Sequence, residues 1–224
     1  MHRFKLFILF LFITSVCRAQ YPFNNPSLPV DKRVHDLLDR LTTEEKISLL
    51  LYNSPGVERL GIPAYNWWNE ALHGVGRAGR ATVFPQAIGM AATFNDALLK
   101  EVGTVISDEA RAKYNIAVKS NNRGQYLGLT FWSPNINIFR DPRWGRGHET
   151  YGEDPLLTGR MGTAFVKGMQ GDDPGYYKTV ACAKHFAVHS GPEPVRHAFN
   201  AIVSNSDLHN TYLPAFKKLV TEAK

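Results

Sequence analysis

Three clusters of charged and aromatic residues stand at the ends of stretches that read as strands. The first is Trp67-Trp68-Asn69-Glu70-Ala71-Leu72-His73-Gly74. The second runs from Asn135-Ile136-Asn137 through Arg140-Asp141-Pro142-Arg143-Trp144-Gly145-Arg146 to Glu149 and Glu153-Asp154-Pro155. The third is Ala183-Lys184-His185-Phe186, with Arg196-His197 downstream. In a parallel α/β barrel, residues that follow the carboxyl end of a strand face the active site. A Lys-His pair closing an apolar strand fits such a site better than it fits packing, because lysine is rarely buried unless paired. Other chemistries are less well served. Glu149 and Glu153, at i and i+4, have the look of an acid–base pair, but the better reading is structural: they hold the long loop against Arg140, Arg143 and Arg160. His185 and His189 have metal-ligand spacing, yet His197 stands apart and Glu193 is the one acid placed as a third ligand, so no metal is expected. Cys182, inside an apolar strand, reads as a core residue and not a nucleophile. Of the adjacent Trp67 and Trp68, at most one faces the pocket and the other belongs to the core. Trp144 packs the loop. His73 orients Glu70 or the loop, or meets a ligand.

The elements that must position these clusters follow from periodicity. Val34, Leu37, Leu38 and Leu41 recur at helical spacing. Thr42-Thr43-Glu44-Glu45 then forms a capping box, opening a second helix through Leu51. Ala64–Trp68 is a short aromatic strand. Asn95–Lys113 is helical, with Leu98, Val102, Val105 and Ile106 on one face. Leu129–Ile138 is a strand rich in β-branched and aromatic residues. Pro155–Met169 is a helix, with proline in its first turn and Gly171 just past its end. Thr179–Val188 is a strand apolar nearly throughout, as one buried on both faces should be. A last helix starts near Ser206-Asp207 and is kinked by Pro214. The leucines on these helix faces are read as core. The alternation favours a parallel sheet with crossover helices.

The first residues read as a leader. A basic start (Arg3, Lys5) precedes an apolar run from Leu6 to Val16, too short for the roughly 20 residues of a membrane span. Small residues at Cys17 and Ala19 suit cleavage before Gln20, so 1–19 is expected to be a signal peptide and the protein to be secreted, to the periplasm or outside. Arg3, Lys5 and Arg18 carry half of the formal charge of +6. What remains is too weak and dispersed to argue for nucleic acid. Residues 20–29, rich in proline and asparagine, are expected to be an extended arm. Residues 30–224 then form the domain.

The clusters resemble the family 3 glycoside hydrolases from about Pro29 onward. Three motifs carry the resemblance in the family's order: EALHG at Glu70–Gly74, RDPRWGRGHETYGEDP at Arg140–Pro155, and AKHF at Ala183–Phe186. The spellings WWNEALHGV and ATVFPQAIGMAATF are closest to the β-xylosidase branch. The resemblance implies an α/β fold, a (β/α)8 TIM-type barrel of which this is the N-terminal, incomplete part. It also implies removal of terminal non-reducing β-1,4-linked xylose from xylo-oligosaccharides with retained configuration, without a cofactor. By the same resemblance Glu70, Arg146, Lys184 and His185 bind the first sugar, Arg196 joins them, Trp132 lines the subsite and Arg77 lies near its mouth. A carboxylate accepts from vicinal hydroxyls, cations donate to their oxygens, and an indole covers the ring's apolar side; His185 is read as a donor. Relatives acting on glucosides usually carry aspartate at position 70. The extra methylene of Glu70 would fill the space of a hexose hydroxymethyl group.

The resemblance also marks what this chain does not show. A retaining glycosidase needs two carboxyl groups about 5–5.5 Å apart. In the family the nucleophile is an aspartate on a later strand, in a Ser-Asp-containing motif, and the acid/base is a glutamate from a second domain. Neither is found here: Ser206-Asp207 reads as a helix start. Both are therefore expected beyond Lys224. The chain is thus expected to be a fragment that ends before the nucleophile, and an inactive fragment is one alternative reading. An exo-β-glucosidase is another, with side activity on α-L-arabinofuranosides a further expectation. A β-N-acetylglucosaminidase fits less well, because Ala187-Val188-His189-Ser190 replaces its characteristic run after Lys-His-Phe.

Overall fold

The computed structural model describes residues 21–223. The leader and Lys224 lie outside them. The chain divides into two compact units, one up to Ile47 and one from Ser48.

In the first unit, Pro22–Asn24 form a 3-10 turn within the segment expected to be extended, and helix α1 spans Val30–Arg40. Asp36 joins the two. Its carboxylate accepts from the Phe23 N–H at 3.1 Å and from Arg40 at 2.7 and 3.0 Å. No residue of α1 is buried, and Val34 and Leu38 are exposed. The expectation that its apolar face is core is therefore corrected for Val34 and Leu38, while Leu41, one residue past the helix, is buried; within this unit the short turn covers the Arg33–Asp36–Arg40 side. The capping box forms as expected, Thr42 N–H donating to Glu45 Oε2 at 2.8 Å and Glu45 N–H to Thr42 Oγ1 at 3.2 Å. Helix α2, Thr43–Ser48, stops short of Leu51. Beyond it the Ser54 hydroxyl takes up the carbonyls of Leu49 and Leu51, which ends the helical ladder.

In the second unit, β1 (Asn53–Ser54) and β2 (Tyr65–Asn66) pair antiparallel. The strand expected at Ala64–Trp68 thus sits in a hairpin ribbon and not in the parallel sheet. It still runs beside the sheet, because Trp132 N–H donates to the Asn69 carbonyl at 2.8 Å. Helix α3 (Ala87–Ala91) is followed by α4 (Asp96–Lys119), which opens where Asn95 Oδ1 accepts the Leu98 N–H at 3.0 Å. Strand β3 (Thr130–Phe131), helix α5 (Pro155–Gln170) and strand β4 (Val180–Ala181) form one βαβ unit. Its strands are parallel, Thr130 opposite Val180 and Phe131 opposite Ala181. Pro134 has no N–H to give, so the ladder breaks there and resumes as a bridge from Asn135 to Lys184. The two long strands of the sequence reading are each interrupted in this way. Asp154 caps α5, Pro155 opens it and Gly171 ends it with φ +76°. Then come α6 (Asn205–Asp207), a π-helical turn at Leu208–Tyr212 and α7 (Pro214–Glu222), so Pro214 begins a new helix where a kink was expected.

The core lies where α4, α5 and α7 meet β3. Leu99, Val102 and Ile106 face Met161, Phe165 and Met169, with Phe131, Ile136, Phe216 and Leu219 closing it. Leu98 and Val105, expected on that face, are exposed. The buried stripe runs through 99, 102, 106 and 110, which follows the 3.6-residue period one position further round. Helices α4 and α5 touch backbone to backbone. A Cβ on Gly103 would come within 2.6 Å of the Phe165 carbonyl, and one on Gly168 would strike the Lys100 carbonyl. β4 is not buried on both faces: Val180 is 41% exposed. Among the described residues only β3 pairs with it. None of the described helices is long and apolar enough to cross a membrane.

Candidate functional site

At the carboxyl ends of β3 and β4 an open cleft of about 860 Å³ is lined by Glu70, Trp132, Arg146, Lys184, His185 and Arg196, all six of the residues singled out in the sequence. Arg77 lines it too.

Glu70 follows the buried Asn69, whose amide donates to the Gly128 carbonyl at 2.9 Å while its oxygen accepts the Glu70 N–H at 2.9 Å. The next N–H, of Ala71, donates to Ser133 Oγ at 3.0 Å. The backbone is clamped, and the carboxylate projects into the cleft. Trp132 lies against Trp68, ring centres 4.9 Å apart and 31° from parallel. Trp68 is therefore the indole of the pair that faces the cleft. Trp67 is not core: it is exposed, and its Nε1 donates to Ser54 Oγ at 2.9 Å.

Arg146 leads into a 3-10 turn, Gly147–Glu149, that brings Glu149 back onto it. Arg146 Nε lies 3.1 and 3.0 Å from the two Glu149 oxygens. Gly147 sits over the Phe139 ring so closely that any Cβ would penetrate it. Glu149 thus has a structural part, but with Arg146 as its partner. The arginines expected for it are engaged elsewhere: Arg143 with Asp141, Arg160 with Asp96, Arg140 with Tyr212 Oη and the Ser190 carbonyl. Glu153 is exposed and has no ion pair among the described residues. Trp144 is buried and packs on Phe139 and His189, within the loop. His73 is tied to the Phe84 carbonyl at 2.8 Å and orients its own loop, not Glu70.

Lys184 emerges from the Asn135 bridge with Nζ 4.0 Å from Glu70 Oε1 and a side chain only 12% exposed. Burial lowers its pKa; the Glu70 carboxylate opposes this and the Arg146 charge adds to it. His185 is lowered to about 3, first by burial and then by the charges of Lys184 and Arg146, so the ring is neutral. Arg196 is aimed by Glu193, Nη1 to Oε1 2.8 Å. Cys182 is exposed and lines the cleft, contrary to the core position expected: the strand edge on which it stands is open. His185 and His189 have ring centres 4.7 Å apart, but among the described residues no three His, Cys, Asp or Glu side chains group to hold a metal. The nucleophile and the acid/base, expected beyond Lys224, fall outside the described residues.

The sequence reading missed three supports, Asn137, Glu149 as partner of Arg146, and Glu193. For the last two a signal was there: Arg146–Glu149 and Glu193–Arg196 are both i, i+3 pairs of opposite charge on one turn. The result is a cleft that sets carboxylates, cations and a neutral imidazole beside two indoles, suited to a small polyhydroxylated ring.

The cleft lies at the strand ends of a (β/α)-type domain, and comparison with known proteins gives that domain its family. Residues 36–224 match the profile of the glycosyl hydrolase family 3 N-terminal domain. The chain belongs to that family. It is 53% identical to a xylan 1,4-β-xylosidase of Xylanibacter ruminicola, over 91% of this chain and 24% of that one. It is 47% identical to probable β-D-xylosidase 7 of Arabidopsis thaliana, over 91% of this chain and 28% of the relative. Among solved structures it resembles a family 3 exo-β-xylosidase in complex with a xylobiose aziridine probe, with TM-score 0.77 and 36% identity over 88% of this chain and 26% of that one. It also resembles a Bifidobacterium adolescentis β-glucosidase, with TM-score 0.69 and 31% identity over 84% of this chain and 26% of that one. The chain spans about a quarter of the length of the curated relatives it matches.

Proposed function

We propose that this domain grips the terminal, non-reducing xylose of a xylo-oligosaccharide for a secreted, retaining β-xylosidase. The observation that carries the reading is the convergence of Glu70, Lys184, Arg146, His185 and Arg196 beside Trp68 and Trp132. Glu70 accepts from vicinal hydroxyls, Lys184 and the arginines donate to their oxygens, and the indoles cover the apolar face. Such charge-assisted bonds strengthen on the 2-hydroxyl as positive charge develops at the anomeric carbon. The carboxylates lining the cleft, Glu70 and Glu149, are engaged with Lys184 and Arg146. This reading therefore assigns Glu70 to binding and Glu149 to holding Arg146, and assigns the nucleophile and the acid/base to parts of the enzyme beyond Lys224. Secretion rests on the leader at 1–19.

The β-glucosidase reading is favoured by the likeness to glucosidase structures. Glu70 separates the two. In the whole enzyme, Glu70→Asp is expected to raise glucoside over xyloside turnover by roughly 10- to 200-fold, the range for one methylene in a pocket. An unchanged ratio overturns the pentose assignment. For the 224-residue chain itself, tryptophan fluorescence titrated with xylose and xylobiose tests the grip. No response to either sugar would overturn the xylose grip and leave the glucosidase and inactive-fragment readings.

A further inference from the structure

On the floor of the cleft, both ring nitrogens of His185 face groups whose polarity is fixed. Nδ1 lies 2.9 Å from Asn137 Oδ1. Asn137 is only 1% exposed, and the backbone decides which way its amide points. Its oxygen also accepts the His185 backbone N–H at 2.9 Å. Its nitrogen donates to the carbonyls of His185 at 2.8 Å and Ala187 at 3.3 Å. Turning the amide over would set NH2 against an N–H and oxygen against two carbonyls. The oxygen therefore faces Nδ1, and Nδ1 carries the proton. On the other side, Nε2 lies 3.3 Å from Arg146 Nη1. A guanidinium has donors only, so Nε2 meets it as a lone pair. A second proton is opposed by the charged and titratable groups around the ring, Lys184, Arg146 and His189, while Glu149 is taken up by Arg146.

We propose that Asn137 is a positioning residue that locks His185 as its Nδ1–H tautomer, leaving the Nε2 lone pair as a hydrogen-bond acceptor on the floor of the cleft. This reverses the donor role that the sequence favours for His185. It also defines what the position recognises: a hydroxyl that displaces the Arg146 N–H from Nε2, giving Nε2 its own proton while its oxygen accepts from that guanidinium. A ligand with fluorine or an ether there has no proton to give. The tautomer stands on the hydrogen bonds alone; that the hydroxyl belongs to a sugar rests on the function proposed above.

The test is a two-bond 1H–15N correlation spectrum of the whole chain labelled in its histidine rings, with His185→Gln to assign the signal. The expected result between pH 5 and 8 is a protonated Nδ1 and a bare Nε2 at His185. A proton on Nε2, alone or with Nδ1, overturns the proposal. Asn137→Asp keeps an oxygen facing Nδ1 but adds charge, which favours the imidazolium. His185 should then carry both protons at pH 6, and methyl β-xyloside should bind roughly tenfold more weakly. An unmoved titration in the folded variant overturns the lock; if the variant does not fold, the wild-type spectrum still decides. Should xyloside leave the His185 nitrogens unshifted while the tautomer is as stated, the sugar reading fails and the lock stands.

Discussion

Where α4 crosses α5, Gly103, Gly168 and Phe165 are fixed by shape: two backbones touch, and one side chain fills what is left. At the carboxyl ends of β3 and β4 the positions are fixed by charge and hydrogen bonding instead. Arg146 is set by Glu149, Arg196 by Glu193, Lys184 stands within 4.0 Å of Glu70, and His185 is set by Asn137. The first region has no freedom in volume, the second little in polarity. Stability and grip are thus written in different residues and should come apart under mutation.

The sharpest break is Phe165→Ala. Phe165 is fully buried, so the variant should lose about 3–5 kcal/mol in denaturant unfolding, while any folded fraction binds xyloside unchanged. Glu149→Gln should do the reverse. With Arg146 unheld, xyloside affinity should fall about tenfold, and the unfolding midpoint should move far less than in Phe165→Ala. Equal loss of both properties in either variant would dissolve the distinction.

Acid exposes the cleft region in its own way. His185 is ordinarily protonated below pH 6.5, but in the folded chain only below about 3. The unfolded chain thus binds the proton first. Stability from this group is complete above pH 6.5 and drains away as pH falls towards 3, at most by about 1.4 kcal/mol per pH unit. His189, lowered mainly by burial, adds in the same direction. His185→Gln should flatten that slope in pH-dependent unfolding; an unchanged slope would assign the acid sensitivity elsewhere. The smallest effect is expected at the helix start, where Asn95→Ala removes the α4 cap at a cost of about 1 kcal/mol, measured by thermal unfolding, with the cleft untouched.

The parts legible in the sequence were those with a local cause. Pro155 and Gly171 mark α5 because the chemistry of helix ends acts between near neighbours. Four of the six cleft residues, Glu70, Arg146, Lys184 and His185, are legible from motifs whose spacing survives whatever the strands do; Trp132 and Arg196 stand outside those motifs and follow from the family resemblance. What escaped depended on partners far away. Leu98 and Val105 are as apolar as Leu99 and Ile106; only the position of α5 decides which pair is covered. Cys182 was misplaced because an apolar run does not say that its edge is open. Asn137 reads only as one of two asparagines in a motif, since its partners sit 48 and 50 positions further on.

The Phe139 ring beneath Gly147 has an evolutionary consequence. It makes the whole turn a lever resting on a flat plate. One methyl group at 147 would tip it, swinging both the cation and its anion off target while every residue that touches ligand kept its identity. A lineage could silence this domain with a single-base change and leave no trace in any inventory of binding residues.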